Sequence, residues 1–292
     1  MPGNSAGSVL NEGNPESLNW LINHVDGMVK SQGLDWYRED MNGGRYGTAW
    51  RKNDTADRQG MTENLYVQGH LAFWDELRRR NPNLHIDSCA SGGRRNDLDT
   101  MRRAVPLLRS DWSVTAFAKE PLQREGNQAH TYGLSSWLPW QGAGVPFFLD
   151  SYSVRSYYLP GFTMVLNDSW SKSESSRTAV KRAYDECRQV ARLMLGDYYP
   201  LTPYSLETDR WIAWQFHRPD LGEGIVQAFR RPDAANDTLT IKLRALAPEQ
   251  RYEIENLDGG KAVHTGSELM NGYIITLRQK PAAALLRLKA IK

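Results

Sequence analysis

The chain has 292 residues, of which 40% are hydrophobic and 24% are charged, enough for one large domain or for a large and a small one with a substantial core. Its net charge of +2 gives no reason to expect a nucleic acid or an anionic membrane as partner. Two cysteines make neither a disulfide framework nor a zinc-binding spacing, and no apolar run reaches the about 18 residues of a membrane span.

The N-terminal region predicts a tail, a helix and a strand. The first 16 residues are rich in Gly, Asn and Ser and lack the basic and then apolar segments of a signal peptide, so cytoplasm is the default expectation. Asn14 can cap a helix whose first position is Pro15, and apolar residues then recur at helical spacing. Gly33 is expected to end this helix, and a strand is predicted at residues 34–37.

Strands and helices are then predicted to alternate. In chain order they are a helix at 62–80, a strand at 85–91, a helix at 97–103, a strand at 105–109, strands at 145–149 and 160–166, and a helix at 173–195. Successive strand-and-helix units imply a parallel sheet with right-handed crossovers.

The pattern changes near residue 209. Six short runs follow, several with period-two alternation, and Gly, Pro, Asp and Asn turns separate them. This is typical of an antiparallel β domain. The residues expected to point inward are Ile212, Val226, Leu239, Ile241, Ile254, Ile275, Leu286 and Leu288.

The predicted fold class is therefore α/β. Residues 1–205 are expected to form a TIM-type (β/α)8 barrel, partial or complete, and residues 206–292 a small antiparallel, β-sandwich-like domain. Ligands of parallel α/β folds bind at the carboxyl ends of the strands.

Two carboxylates are the strongest candidates for chemistry. Asp40 and Asp111 each lie where a predicted strand ends. Retaining glycosidases use two carboxyl groups about 5–5.5 Å apart, one as nucleophile and one as acid and base. Arg38 lies two residues before Asp40, so its cation points to the same side of the strand and favours the charged carboxylate.

A third group of candidates follows the middle strand. Cys89 precedes a pair of glycines, Gly92 and Gly93, which would let the backbone approach a ligand closely or simply make a tight turn. The Lys-Ser/Thr ending of a phosphate loop is absent, and the histidines share no metal-like spacing, so neither a metal nor a cofactor is assigned.

Three ordered motifs make the interpretation specific. YREDMN resembles the K-W-D-M-N motif of glycoside hydrolase family 36, the retaining α-galactosidases; SCASGGRRNDLDTM resembles that family's C-S-G-G-G-G-R-x-D-L motif, and RSDW resembles its S-D motif. GDYYPLTPY, WIAWQF and SELMNGYIITL are similar to its C-terminal part, so the resemblance covers nearly the whole chain.

The resemblance implies roles for individual residues. Asp40 would be the nucleophile and Asp111 the general acid/base. The residues implied in substrate binding are Arg38, Asn42, Cys89, Gly92, Gly93 and Trp112, the last beside the acid/base. The substrate implied is an α-galactoside or a related oligosaccharide.

Two departures from the family leave alternatives open. Arg38 stands where the family usually has Lys, and the family's N-terminal β domain and first barrel strands are not seen, so the chain is expected to be the C-terminal portion of a longer enzyme. The alternatives are an α-N-acetylgalactosaminidase or another α-glycosidase of this fold, or a non-catalytic carbohydrate-binding fragment. An exposed barrel seam would also favour association into a homo-oligomer.

Overall fold

The computed structural model describes residues 9–41, 50–113, 122–144, 146, 148–163 and 173–291. The chain forms two compact units, Met1–Pro106 and Leu107–Lys292. The division between residues 205 and 206 stays a prediction about domains.

The two long helices of the first unit lie close to where the sequence predicts. In the helix Pro15–Gln32 the Asn14 side chain accepts hydrogen bonds from the backbone N–H groups of residues 16 and 17, and Gly33 ends the helix with a φ of 64°. A second helix spans Met61–Arg80. The helix predicted at 97–103 is shorter, spanning Leu98–Met101, and the Asp97 side chain caps it.

Strands β1 (Trp36–Asp40) and β2 (His85–Cys89) pair in parallel. Predicted strand 34–37 therefore starts two residues late and continues through Asp40, so its ionisable groups lie inside the strand. Predicted strand 85–91 stops at Cys89, because Ser91 and Gly92 take positive φ values of 46° and 71°. The core between these strands and the two long helices includes Ile22, Val25, Val29, Phe73, Trp74, Leu77, Leu84 and Ile86.

The third predicted strand, 105–109, is wrong. This segment forms only isolated bridges, one between Val105 and Asp87 and one between Leu108 and Ala143. Pro106 lacks the N–H that a continuous ladder needs and fixes its own φ, which accounts for the interruption.

The predicted strands at 145–149 and 160–166 are not observed among the described residues of those segments. Residues 145, 147 and 164–166 lie outside the described part of the chain. A short helix, Ser151–Arg155, lies between the two segments.

The second unit is built on a six-stranded sheet in the order β3-β4-β5-β10-β7-β8, beside a two-stranded β6-β9 ribbon. All the described pairings in this unit are antiparallel. The strands are β3 (Asp197–Pro200), β4 (Trp211–Arg218), β5 (Glu223–Arg230), β6 (Thr238–Ile241), β7 (Arg251–Asn256), β8 (Lys261–Thr265), β9 (Tyr273–Thr276) and β10 (Ala282–Ile291). The helix Gly266–Asn271 connects β8 to β9.

Both faces of this sheet are buried. One face packs against the helix Glu174–Val190 and its continuation Ala191–Leu195, a 3₁₀ turn that ends the predicted 173–195 helix. The other face packs under the β6-β9 ribbon. The predicted inward positions are confirmed: Leu239 is partly buried, and the other seven are in the core.

None of the helices in the described part of the chain combines the length and the apolar character that crossing a bilayer requires.

One buried cation ties three segments of the second unit together. The Arg155 guanidinium donates to both oxygens of Glu186, at 2.8 Å each, and to both oxygens of Asp258, at 2.7 and 2.6 Å. It also donates to the carbonyl of Ala283 on β10, at 2.8 Å. The Arg155 side chain is only 2% exposed, so all this charge is paired inside the protein.

We expect Arg155→Met to lower the free energy of unfolding by about 3 kcal/mol, because the carboxylates of Glu186 and Asp258 would lose the buried cation that pairs with both. Urea unfolding of the purified chain measures this. Lys261→Met, which removes an exposed cation between Glu253 and Glu255, is the matched control and should have little effect. Equal losses in the two variants would contradict a structural role for Arg155.

Candidate active site

The predicted site residues of the first unit meet at the carboxyl ends of β1 and β2. Arg38 lies opposite Asp87 in the parallel register, and Asp40 lies opposite Cys89. Since alternate residues of a strand share a face, Arg38 and Asp40 point to one side of β1. The structure thus brings three predicted site residues together and adds Asp87, which sequence reasoning missed.

Arg38 is held between two carboxylates. Its Nη1 donates to the buried Asp87, and its Nη2 lies 3.5 Å from Oδ2 of Asp40. Burial has the largest single effect and opposes the guanidinium charge, but the hydrogen bond to Asp87 and the negative charges of Asp87 and Asp40 together raise the pKa of Arg38. The cation is therefore fixed in direction beside Asp40.

Cys89 is a buried thiol next to Asp40. Burial raises the pKa of the Cys89 thiol, and the neighbouring Asp40 carboxylate raises it further. At neutral pH the residue is therefore an uncharged S–H group rather than a thiolate nucleophile.

The glycine pair makes a tight turn directly after β2. The Ala90 N–H donates to the Gly92 carbonyl at 3.3 Å, and Ala90 also bridges to Gly93. Gly92 has a φ of 71°, where a Cβ would be strained. The turn leaves backbone groups of residues 91–93 close to Cys89, and their contact with a ligand stays a prediction.

A buried polar network lies on the opposite face of β1. Glu39 accepts hydrogen bonds from the Trp74 indole at 3.1 Å and from Nη1 of Arg95 at 3.1 Å. His70 contacts Arg95 through Nε2 and Glu12 through Nδ1, at 3.1 and 3.0 Å. Sequence reasoning missed this network, because its partners come from four separate segments.

Asp111 and Trp112 belong to the second unit, where they form the 3₁₀ turn Asp111–Ser113. The Trp112 N–H donates to the Ser110 hydroxyl at 3.1 Å. A Cβ on Gly126 would lie 1.9 Å from Nε1 of Trp112, so only glycine allows the indole this position. The pairing of Asp111 with Asp40 stays a prediction, and Asn42 lies outside the described residues.

Arg109, two residues before Asp111, is a buried anchor. Its Nη1 donates to Gln141, and its Nη2 donates to the Asn127 carbonyl and side chain and to the Thr131 hydroxyl, all at 2.8 Å. Burial lowers the pKa of Arg109 to about 9. The segment that carries Asp111 is therefore tied to the helix Leu122–Leu134.

Within the described residues, no group of three or more His, Cys, Asp or Glu side chains has an arrangement that could hold a metal ion.

Protein-family models match two parts of the chain. The Melibiase family model matches residues 4–131. The model of the glycosyl hydrolase family 36 C-terminal domain matches residues 211–288.

Similar proteins extend well beyond this chain. It is 26% identical to alpha-galactosidase 1 of Pediococcus pentosaceus, over 90% of this chain and 35% of that protein. It is 26% identical to alpha-galactosidase AgaA of Geobacillus stearothermophilus, over 97% of this chain and 39% of that protein. The chain therefore spans a little over a third of the length of these relatives.

Solved structures give the same picture of the fold. The crystal structure of AgaA from Geobacillus stearothermophilus has a TM-score of 0.75 at 21% identity, covering 100% of this chain and 41% of that one. The alpha-galactosidase from Lactobacillus brevis also has a TM-score of 0.75, at 22% identity, over 97% of this chain and 39% of that one. This chain shares the fold of the corresponding part of those structures.

Substituting Gly126 should displace Trp112. We expect Gly126→Ala to lower the free energy of unfolding by at least about 1 kcal/mol, because the new methyl group overlaps the indole. Gly133→Ala is a matched control in the same helix, since its Cβ would meet nothing within 4 Å, and it should be neutral or stabilising. Urea unfolding of both variants checks this; equal effects would contradict the contact.

His130 should make stability depend on pH. Burial, together with the nearby Arg109 cation, lowers the pKa of His130 from its usual 6.5 to about 4. The unfolded chain therefore binds this proton more readily, and stability is lost as pH falls from 6.5 towards 4. We expect His130→Gln to reduce that loss by about 1 to 3 kcal/mol, measured by urea unfolding at pH 7 and pH 4.5. An unchanged pH dependence would contradict a neutral, partly buried His130.

Proposed function

We propose that the chain is a member of glycoside hydrolase family 36 and carries retaining glycosidase chemistry that releases terminal α-linked galactose from oligosaccharides. The observation that carries this proposal is the arrangement at the ends of β1 and β2. A carboxylate with an adjacent fixed cation, Asp40 beside Arg38, lies next to Cys89 and its glycine turn. The relatives' names support the choice of galactose.

Asp40 is the proposed nucleophile. Its carboxylate attacks the anomeric carbon, and the bond from that carbon to the leaving oxygen breaks. Arg38 lies 3.5 Å from Oδ2 of Asp40 and is itself anchored on Asp87, so it orients the attacking group. The Cys89 thiol and the backbone of the Gly92–Gly93 turn are the proposed contacts to the sugar.

Asp111 is the proposed general acid and base. It gives its proton to the leaving oxygen in the first step, while the sugar becomes esterified to Asp40. In the second step Asp111 takes a proton from water, whose oxygen attacks the anomeric carbon and releases Asp40. Two inversions leave the anomeric configuration unchanged. Trp112 is the proposed neighbour of this acid, and Asn42 completes the proposed substrate contacts.

The proposed setting for this chemistry is a TIM-type barrel within residues 1–205, followed by the β domain at 206–292. The parallel β1-β2 pair, each strand following a helix, supports this. Crystal structures of AgaA are described in complex with raffinose and stachyose. Oligosaccharides of that kind, which end in α-galactose, are the substrates we propose to test.

Loss of either carboxylate should abolish turnover. We expect Asp40→Asn and Asp111→Asn to hydrolyse 4-nitrophenyl α-D-galactopyranoside at least about 10³-fold more slowly than the parent chain. The amide of Asn attacks poorly and donates no acidic proton. Release of nitrophenol by the purified proteins measures this.

Azide separates the two roles. With Asp40→Gly, azide should restore product release and give a galactosyl azide, because a small anion can occupy the space of the missing carboxylate. Asp75→Asn, which removes an exposed carboxylate paired with Arg103, is the control and should keep parental activity. Normal turnover in both Asn variants would refute the assigned roles, and a folded parent chain that hydrolyses no α-glycoside would refute the activity.

A further inference from the structure

Glu39 lies between Arg38 and Asp40 along β1 but points away from them. Along β1 its neighbours Arg38 and Asp40 are exposed, whereas Glu39 itself is partly buried. Alternation along a strand places its carboxylate on the face that meets the helix Met61–Arg80. Glu39 is therefore placed to affect Asp40 through the backbone and not by contact with a sugar.

The Glu39 carboxylate is fully engaged by rigid donors. Oε2 accepts from the indole of Trp74 at 3.1 Å and from the Tyr37 hydroxyl at 3.2 Å. Oε1 accepts from Nη1 of Arg95 at 3.1 Å. Trp74 is completely buried, so this acceptor site is fixed by the core of the first unit. Every donor named here needs an oxygen, which an amide would supply on one side only.

Arg95 contacts the residues on both sides of Asp40. Beside its bond to Glu39, its Nη2 lies 3.0 Å from the sulfur of Met41. Arg95 also follows the Gly92–Gly93 turn closely in sequence, so the same guanidinium ties that turn to the end of β1. The Met41 N–H in turn donates to the Cys89 carbonyl at 3.0 Å.

His70 contacts Arg95, and the Glu12 carboxylate in turn contacts His70. Nη1 of Arg95 donates to Nε2 of His70, which leaves Nδ1 of His70 as the donor to Glu12. The His70 and Glu12 side chains are 7% and 8% exposed. A Cβ on Gly69 would lie 2.0 Å from the Glu12 carbonyl, so the segment carrying Glu12 is packed directly on the helix.

We propose that Glu39, acting through Arg95, is a positioning residue that sets the place of Asp40 against Cys89 and couples the Gly92–Gly93 turn to the end of β1. The proposal rests on the proposed function only in that Asp40 is there the nucleophile. The coupling itself is a property of the first unit and can be measured without turnover.

The Cys89 thiol is the reporter. Thiolate is the form that reacts with iodoacetamide, and Asp40 disfavours it. Site-resolved alkylation of the whole chain, read by peptide mass spectrometry between pH 7 and 10, gives the Cys89 rate separately from that of Cys187. Asp40→Asn is the reference and should increase the Cys89 rate at pH 8.

Glu39→Gln should change the Cys89 rate in the same direction as Asp40→Asn, by about 3-fold or more at pH 8, because a displaced Asp40 no longer opposes the thiolate. Glu39→Asp, which keeps the charge, should recover part of the parental rate. Arg95→Lys should repeat the effect of Glu39→Gln, since one ammonium cannot reach Glu39, Met41 and His70 together.

Two controls separate positioning from loss of stability. Val29→Ala lowers stability in the same core without touching the network and should leave the Cys89 rate unchanged. Asp75→Asn breaks another carboxylate–arginine pair of this unit and should also leave it unchanged. If the parent hydrolyses galactosides, Glu39→Gln should lower kcat more than it raises KM.

A parental Cys89 profile in folded Glu39→Gln and Arg95→Lys variants would overturn the proposal. That result is independent of the proposed function, because it is obtained whether or not the parent hydrolyses an α-galactoside. Inactivity of the parent with a changed Cys89 profile would refute the function and leave the positioning role supported.

Discussion

The parallel register between β1 and β2 places Asp40 opposite Cys89 and Arg38 opposite Asp87. A shift of one residue in this register would turn every side chain of β1 to the other face and exchange Asp40 for Glu39. The core packed on one face of the strands holds the register, with Trp74 and Leu77 contributed by the helix Met61–Arg80 and Ile86 by β2. The chemistry proposed for this chain depends on that pairing.

Charged residues near the site lie on both faces of β1, an outer layer on the exposed face and an inner layer on the face that meets the core. On one face of β1, Arg38 lies between Asp40 and Asp87 and remains accessible to a ligand. On the other face, Glu39 and Arg95 are closed off by aromatic side chains. Removing one member of a buried ion pair leaves an uncompensated charge, so the inner layer resists change more than the outer one does. One face of β1 therefore carries the proposed reacting residue Asp40, and the other carries Glu39, which is proposed to hold Asp40 in position.

Buried ion pairs also hold segments of the second unit in place. Its central sheet is buried on both faces. The buried Arg155 joins two helices and the turn after β7 through four hydrogen bonds to carboxylates, and it donates a fifth to a backbone carbonyl of β10. Arg109 plays a comparable part in the segment that leads to Asp111. Polar residues in this unit therefore fix positions that apolar packing alone would leave less precise.

Local signals in the sequence were sufficient for much of the fold. The Asn14 cap, the Gly33 stop and the alternating strands after residue 209 are properties of neighbouring residues, and the structure has each of them. The predicted strand at 105–109 failed because its apolar pattern outweighed Pro106 in the prediction, although proline breaks the ladder.

Some contacts of the site could not be predicted from residues that are neighbours in the sequence. Asp87 could have been predicted as a site residue, since it lies two residues before Cys89 and shares its face of β2. The pairing of Glu39 with Arg95 joins residues 56 positions apart, and its helix and turn partners become neighbours only after folding. Such contacts depend on tertiary packing, which a single sequence does not display.

The most direct test of the central claim is to trap the covalent intermediate. The purified chain would be treated with an activated α-galactoside carrying fluorine at the 2-position or the 5-position, digested, and analysed by mass spectrometry. The account predicts one galactosyl ester, on the peptide that contains Asp40, and no label in Asp40→Asn. An ester on another carboxylate, or none from a chain that does hydrolyse α-galactosides, would contradict the assignment of Asp40 as nucleophile.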